Sequence, residues 1–376
     1  MSLQQNNGGS GRSSFSSLDG FGTARLADGF ELAIPKWKEK KMTPRHGFSA
    51  LLLTALALIS VARDAAGDGA EEPLQLEAKI PLGDIKGRID HMAVDLARKR
   101  LFVAALGNDG LAVVDLQTRR LDRLIGELAE PQGVGYDPAT DTLYVANAGD
   151  GSVRLFKGAN LSPGGRIELG NDADNVRMDS TAGRIFIGYG DGAVAIIDAA
   201  TRKQVASIPL KAHPESFQLD GNTSRIFVNV PNSGAIDVVD RASGETVATW
   251  STAGRSANFA MVLDGARRHV IVAFRQPAEL GVFSSIDGNF LTSVPTCGDV
   301  DDLFIDTKRD RIYISCGEGF VDVLSADGTS YRQTAHIVTA AGARTSLFVP
   351  ELDSLLLAVP AGGETPAAIW VFRPAP

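Results

Sequence analysis

Beyond residue 73 the chain alternates short apolar runs with polar turns, and the alternation repeats. An apolar stretch ending in Asp is followed by a short polar turn and then by an apolar triplet, usually with an aromatic centre. The repeat Asp residues are Asp95, Asp137, Asp179, Asp220, Asp264 and Asp306, spaced 42, 42, 41, 44 and 42 residues apart. The triplets begin six residues after each Asp: Leu101-Phe102-Val103, Leu143-Tyr144-Val145, Ile185-Phe186-Ile187, Ile226-Phe227-Val228, Val270-Ile271-Val272 and Ile312-Tyr313-Ile314. A seventh copy has Pro350 at the Asp position and continues as Leu355-Leu356-Leu357, its turn one residue shorter.

Each unit goes on through a turn, usually with Gly, to a third apolar run, such as Val194-Ala195-Ile196-Ile197. A more polar fourth run follows, as in Val205 to Leu210 and Thr246 to Trp250. Short runs rich in Val, Ile, Phe and Tyr, broken by turn formers, predict strands and not helices. Four such strands in each unit of about 42 residues predict the four-stranded blades of a propeller. The fold class is therefore all-β, a seven-bladed β-propeller. The repeat Asp is expected to accept a backbone N–H in the first hairpin turn. The central aromatic of each triplet is expected to pack between blades.

The two ends predict how the ring closes. The seventh unit stops after its third run, Ala368 to Phe372. Before the first unit, Leu76 to Leu82 reads like a fourth strand and parallels Val205 to Leu210. The N-terminal strand should complete the last blade and leave no open edge.

The first 70 residues are of another kind. Residues 1–41 are expected to be a disordered extension or a misassigned start, with a Gly/Ser/Asn-rich stretch and then a basic cluster, Lys36, Lys38, Lys40 and Lys41, which Arg45 continues. The apolar run Phe48 to Ala62 is too short to cross a bilayer. With small residues at Ser60 and Ala62 it predicts a signal peptide over 42–62, cleaved after Ala62 or, as a second choice, after Gly67. Residues 63–73 then form a flexible mature N-terminus and 74–376 the propeller. A periplasmic or secreted monomer with no stable membrane span follows as the expectation. Residues 1–62 carry seven Lys/Arg and four Asp/Glu, so removing them takes the net charge from −8 to −11. That charge, with no basic run to offset it, disfavours nucleic acid as a partner.

The repeat units resemble the YVTN-type, YncE-like β-propeller family. Leu143-Tyr144-Val145-Ala146-Asn147 is close to the motif that names the family, and Phe227-Val228-Asn229 is a looser copy. The resemblance covers residues 74–376. It implies an exported bacterial propeller and leaves the activity open.

Candidate chemistry lies upstream of each repeat Asp, where loops lead into the innermost strands. Counting back five and four places gives Asp90-His91, Gln132-Gly133, Asp174-Asn175, Glu215-Ser216, Asp301-Asp302 and Thr345-Ser346. The fifth unit is two residues longer, and Asn258 is taken as its counterpart. This register is polar amid apolar runs, and it varies where a structural cap would repeat. Arg88, Arg177, His213, Arg255 and Arg344 lie in the same loops; Asn147, Asn229, Arg275 and Glu318 follow the second strands. Convergent polar groups at a concave mouth predict a ligand site.

The leading expectation is binding of a small polar molecule or an envelope protein. The residues are Arg88, Asp90, His91, Gln132, Asp174, Asn175, Arg177, His213, Glu215, Asn258, Arg275, Asp302 and Arg344. The alternative is a hydrolase, similar to the seven-bladed lactonases, for which Gly87-Arg88-Ile89-Asp90-His91 is the closest segment. His91, His213, Glu215 and Arg344 would then be its catalytic candidates. A third expectation places a hard cation such as Ca²⁺ on Asp90, Asp174, Glu215, Asp301 and Asp302. No nucleophile elbow, phosphate-binding glycine loop, Cys/His zinc spacing or haem-attachment motif is present. Of the two cysteines, Cys297 precedes the first strand of the sixth unit and Cys316 ends its second, and they are expected to form a disulfide outside the cytosol. Counting back from Asp306 opposite Arg311 puts Asp301 opposite Cys316.

Overall fold

A computed structural model describes residues 72–376 apart from Thr329. The extension, the signal peptide and most of the flexible N-terminus lie outside the described residues. Within them the chain forms seven four-stranded antiparallel sheets arranged as a propeller. The innermost strands are Met92–Asp95, Pro131–Asp137, Val176–Asp179, Phe217–Leu219, Ser256–Asp264, Val300–Asp306 and Thr345–Val349. Residues from all seven line one central channel of about 390 Å³. No helix among the described residues is long and apolar enough to cross a membrane.

The ring closes as the chain ends predict. Leu74–Pro81 pairs antiparallel with Ala368–Pro374 as the fourth strand of blade seven, from Leu74 opposite Pro374 to Pro81 opposite Ala368. Two further backbone bonds extend the ladder, from Leu82 N to Ala367 O at 2.8 Å and from Ala375 N to Pro73 O at 3.0 Å.

Packing follows from the period-two alternation of the second strands, both faces of which are buried. Phe102 packs with Leu143 and Val145 of the next blade. Tyr144 does so with Ile185 and Ile187, Phe186 with Ile226 and Val228, and Phe227 with Val270 and Val272. Ile271 meets Ile312 and Ile314, Tyr313 meets Leu355 and Leu357, and Leu356 returns to Leu101 and Val103. The centre of each triplet thus inserts into the following blade. The seventh insertion exists only because the ring is closed.

The repeat Asp residues have the structural role expected of them. Each accepts a turn N–H: Asp95 from Arg98, Asp137 from Ala139, Asp179 from Ala182, Asp220 from Asn222, Asp264 from Arg267 and Asp306 from Lys308. In three blades an Arg three residues on also bridges to the next blade. Arg98 reaches Asp141, Arg267 reaches Asp310 and Arg309 reaches Asp353.

One pairing differs from the sequence count. A bulge in blade six sets Val300 opposite Cys316 and Asp302 opposite Ser315, and leaves Asp301 between them. A bulge adds a residue that simple counting cannot see.

Ile80 is fully buried on the closing strand, within the cluster that joins blades seven and one. Ile80→Ala should lower the free energy of unfolding by about 2–5 kcal/mol, the usual range for a truncated core residue. Chemical denaturation measures this, and a loss near zero would mean that the strand contributes nothing.

Candidate functional site

The register read from the sequence divides into two tiers. In blades one, three and four the residue five before the repeat Asp extends the ladder by a backbone bond. Asp90 N donates to Ala104 O, Asp174 N to Gly188 O and Glu215 N to Asn229 O, at 2.8, 2.9 and 3.0 Å. In blades two, five and six the same position falls in a bulge, at Gln132, Phe259 and Asp301. Gln132, Asp174, Glu215, Phe259 and Asp301 line one cavity of about 250 Å³ at the mouth. Arg88, His91, Asp172, His213, Arg275 and Arg344 complete its wall. The residues four before the Asp form the lower tier: His91, Ser216, Ala260, Asp302 and Ser346 face the central channel.

Local packing explains how these backbones come together. A Cβ at Gly133 would collide with the carbonyl oxygen of Asp174, so the bare glycine admits blade three close to blade two. A Cβ at Gly317 would likewise overlap the Asp299 carboxylate. Cys297 and Cys316 form the expected disulfide, with Cα atoms 5.8 Å apart, inside the usual range. The bond ties the loop that carries Asp299 and leads into Asp301 to the second strand of blade six. Cys297 N also donates to the buried Asp322 at 2.7 Å.

One wall of the mouth is a salt-bridge lattice. Arg275 donates to Val300 O and Asp301 at 2.9 and 2.8 Å and stands 3.3 Å from Asp299. Its guanidinium stacks 4.0 Å over the Phe259 ring. Arg344 grips Asp299 at 2.8 and 3.0 Å and approaches Asp301 at 3.3 Å. Arg88 pairs with the buried Asp90 at 2.7 Å. Below, His91 lies between Asp90 and Asp302 at 3.8 and 3.7 Å, and Asp302 accepts Ser346 N at 2.9 Å.

Burial pushes the Asp90 carboxyl up to about 7 despite the pull of His91 and Arg88; Asp301 and Asp174 add to the rise. Burial likewise pushes Glu215 up to about 7, helped by Asp174, and raises Asp174 itself. Burial alone would disfavour a charged His91, but Asp302, Asp90 and Asp174 outweigh it and hold the imidazolium up to about 10. The surrounding carboxylates thus favour the imidazolium form of His91, in which both ring nitrogens donate. His213 Nδ1 is 2.6 Å from Gly190 O and 3.4 Å from Asp172.

Other expected residues take different places. Asn258 does not line the cavity: the bulge puts Phe259 there, and Asn258 is buried between blades, donating to Asn229 and Ala235 O at 3.2 and 2.9 Å. Asn175 is buried and supports Asp174. Arg177 and Asp302 belong to the channel below the mouth. Arg177 donates to the carbonyls of Phe217 and Val176 at 3.1 and 3.0 Å, and burial lowers its pKa. Arg255 pairs with Glu279 and packs over Phe290, while Glu318 accepts Gly298 N. Asn147 is bound within its own blade.

The carboxylates of the expected cation site have separate partners. Asp301 is held by two arginines, Asp90 by Arg88 and Asp302 by Ser346 and His91, so the five carboxylates do not share one point. Among the described residues no three His, Cys, Asp or Glu side chains are grouped to hold an ion, whereas Ca²⁺ takes roughly six to eight oxygens. Asp172, Asp299 and Phe259 are the residues the sequence reading missed. Only Phe259 had a signal, the unadjusted count of five from Asp264.

No protein-family model and no curated protein matches this chain. Among solved structures it is similar to a chain of Kuenenia stuttgartiensis hydrazine synthase. The TM-score is 0.66 at 17% identity, over 73% of this chain and 93% of that one. It is also similar to a chain of a mitotic checkpoint complex, with a TM-score of 0.65 at 11% identity, over 85% and 99%. At these identities the likeness is one of fold.

Two outcomes follow from the site. A carboxyl that titrates higher folded than unfolded destabilises the fold when ionised, and that cost disappears as the pH falls below its ordinary value. Glu215→Gln should therefore raise stability by about 1–2 kcal/mol at about pH 8 and leave it unchanged near pH 4. Thermal unfolding at the two pH values checks this. Replacing both cysteines by Ser, which opens a loop with a sequence separation of 19, should lower unfolding free energy by roughly 3 kcal/mol. Denaturant titration measures that loss, and an unchanged midpoint would contradict a bracing role.

Proposed function

We propose that this chain is an exported propeller of the YVTN type whose mouth binds a small polar molecule. One observation carries the binding reading: side chains from separate blades converge on a single cavity of about 250 Å³ whose wall, apart from Phe259, is polar or ionisable. The cavity is concave, and preformed clefts with convergent polar groups suit small ligands. A small molecule is therefore favoured over an envelope protein. The export reading rests on the leader sequence and on the disulfide, a bond of oxidising compartments.

The test is a thermal-shift and calorimetric screen of small polar molecules on the full-length protein. A ligand should raise the unfolding temperature, and Arg344→Ala, which releases Asp299 and Asp301 at the mouth, should change its affinity at least about tenfold. Ligands that bind equally well to the variant would contradict the mouth as the site. Turnover of lactones that is lost on Glu215→Ala would contradict a role in binding alone.

A further inference from the structure

The charges at the mouth are unevenly matched, and the imbalance specifies the ligand. The arginines are occupied: Arg88 by Asp90, and Arg275 and Arg344 by Asp299 and Asp301. Across the cavity, on blades three and four, Asp174 and Glu215 have no arginine partner and no ion pair among the described residues; His91 and His213 act on them only at longer range. Asp174 is only 6% exposed. Its Oδ2 accepts one bond, from Asn175 at 3.3 Å, and its Oδ1 lines up with no donor among the described residues. The Glu215 carboxylate receives no hydrogen bond and no ion pair among them; His213 attracts it only at longer range. The backbones beneath both are fixed by the bonds to Gly188 O and Asn229 O.

A buried carboxylate without a donor is costly. The cost is relieved when a cation with its own hydrogen-bond donors arrives. We infer that the mouth recognises a small organic cation bearing a primary ammonium group, which Asp174 and Glu215 accept between them. This inference rests on the reading of the mouth as a ligand site. An ammonium offers three N–H donors and no acceptor, which matches two carboxylates short of donors. An anion would meet both carboxylates and find the arginines already neutralised. A metal ion would find no grouped ligands among the described residues. Asp172, half exposed at the rim, adds a third negative charge on the approach.

The experiment titrates full-length protein with methylamine, ethanolamine and putrescine as ammonium probes, beside glucose, succinate and calcium chloride, by isothermal calorimetry. At least one ammonium probe should bind, and D174N and E215Q should each weaken it about tenfold or more. Both substitutions nearly preserve shape, and unfolding temperatures report whether each variant is folded. Should D174N fail to fold, E215Q, on the partly exposed side chain, decides. Ammonium binding that survives both substitutions overturns the inference, as does binding of none of the ammonium probes. Binding of glucose or succinate alone, weakened by Arg344→Ala, also overturns it, yet leaves the mouth standing as a ligand site. Binding of calcium alone overturns it in favour of a metal.

Discussion

The pairing of Leu74–Pro81 with Ala368–Pro374 is the constraint on which the rest of this molecule depends. Each blade packs only on its two neighbours, so the ring is a chain of adjacent interfaces whose stabilities are nearly local. Six of those interfaces would form in an open arc. The seventh, in which Leu356 meets Leu101 and Val103, requires the two ends of the chain to share a sheet. Ile80 and Leu82 belong to that same cluster, so the strand that closes the sheet also fills the core between blades seven and one. Closure turns seven equivalent loop positions into a single mouth.

That mouth is a place where the fold accepts electrostatic cost. One half is neutralised internally by the Arg275, Arg344, Asp299 and Asp301 lattice, braced by the disulfide loop. The other half keeps Asp174 and Glu215 buried or partly buried with few donors, their carboxyls held above the ordinary range. Packing that served stability alone would have paired or removed these groups, and groups held at such cost in a concave site are candidates for function. His91 connects the tiers, since its imidazolium balances Asp90 above and Asp302 below.

Much of this was legible in the residues because a repeat forces the same local solution at every copy. The turn Asp, the triplet centre and the closing strand are each set by short-range chemistry, and all three took the predicted places. The polar register could be counted from Asp137, Asp179, Asp220 and Asp306, since Gln132, Asp174, Glu215 and Asp301 all line the cavity. Strand pairing and the length adjustment failed where bulges intervene. Adjusting for length in unit five selected Asn258, whereas the bulge aims Phe259 at the cavity and turns Asn258 inward to bind neighbouring backbone. The same effect shifted Asp301 away from its expected partner. The contributions of Asp172 and Asp299 depend on the course of loops that only tertiary packing decides. The split of Arg177 and Asp302 from the upper tier depends on depth along the channel, which a one-dimensional pattern does not encode.

Native-state hydrogen exchange tests the closed ring most directly. If the terminal strands form one cooperative sheet, the bonded amides of residues 74–81 and 368–374 should open with the same free energy, equal to that of global unfolding. Exchange of the N-terminal strand through a separate, lower-energy opening while 368–374 stays protected would show that the ring stands without its closing strand, and would contradict this account.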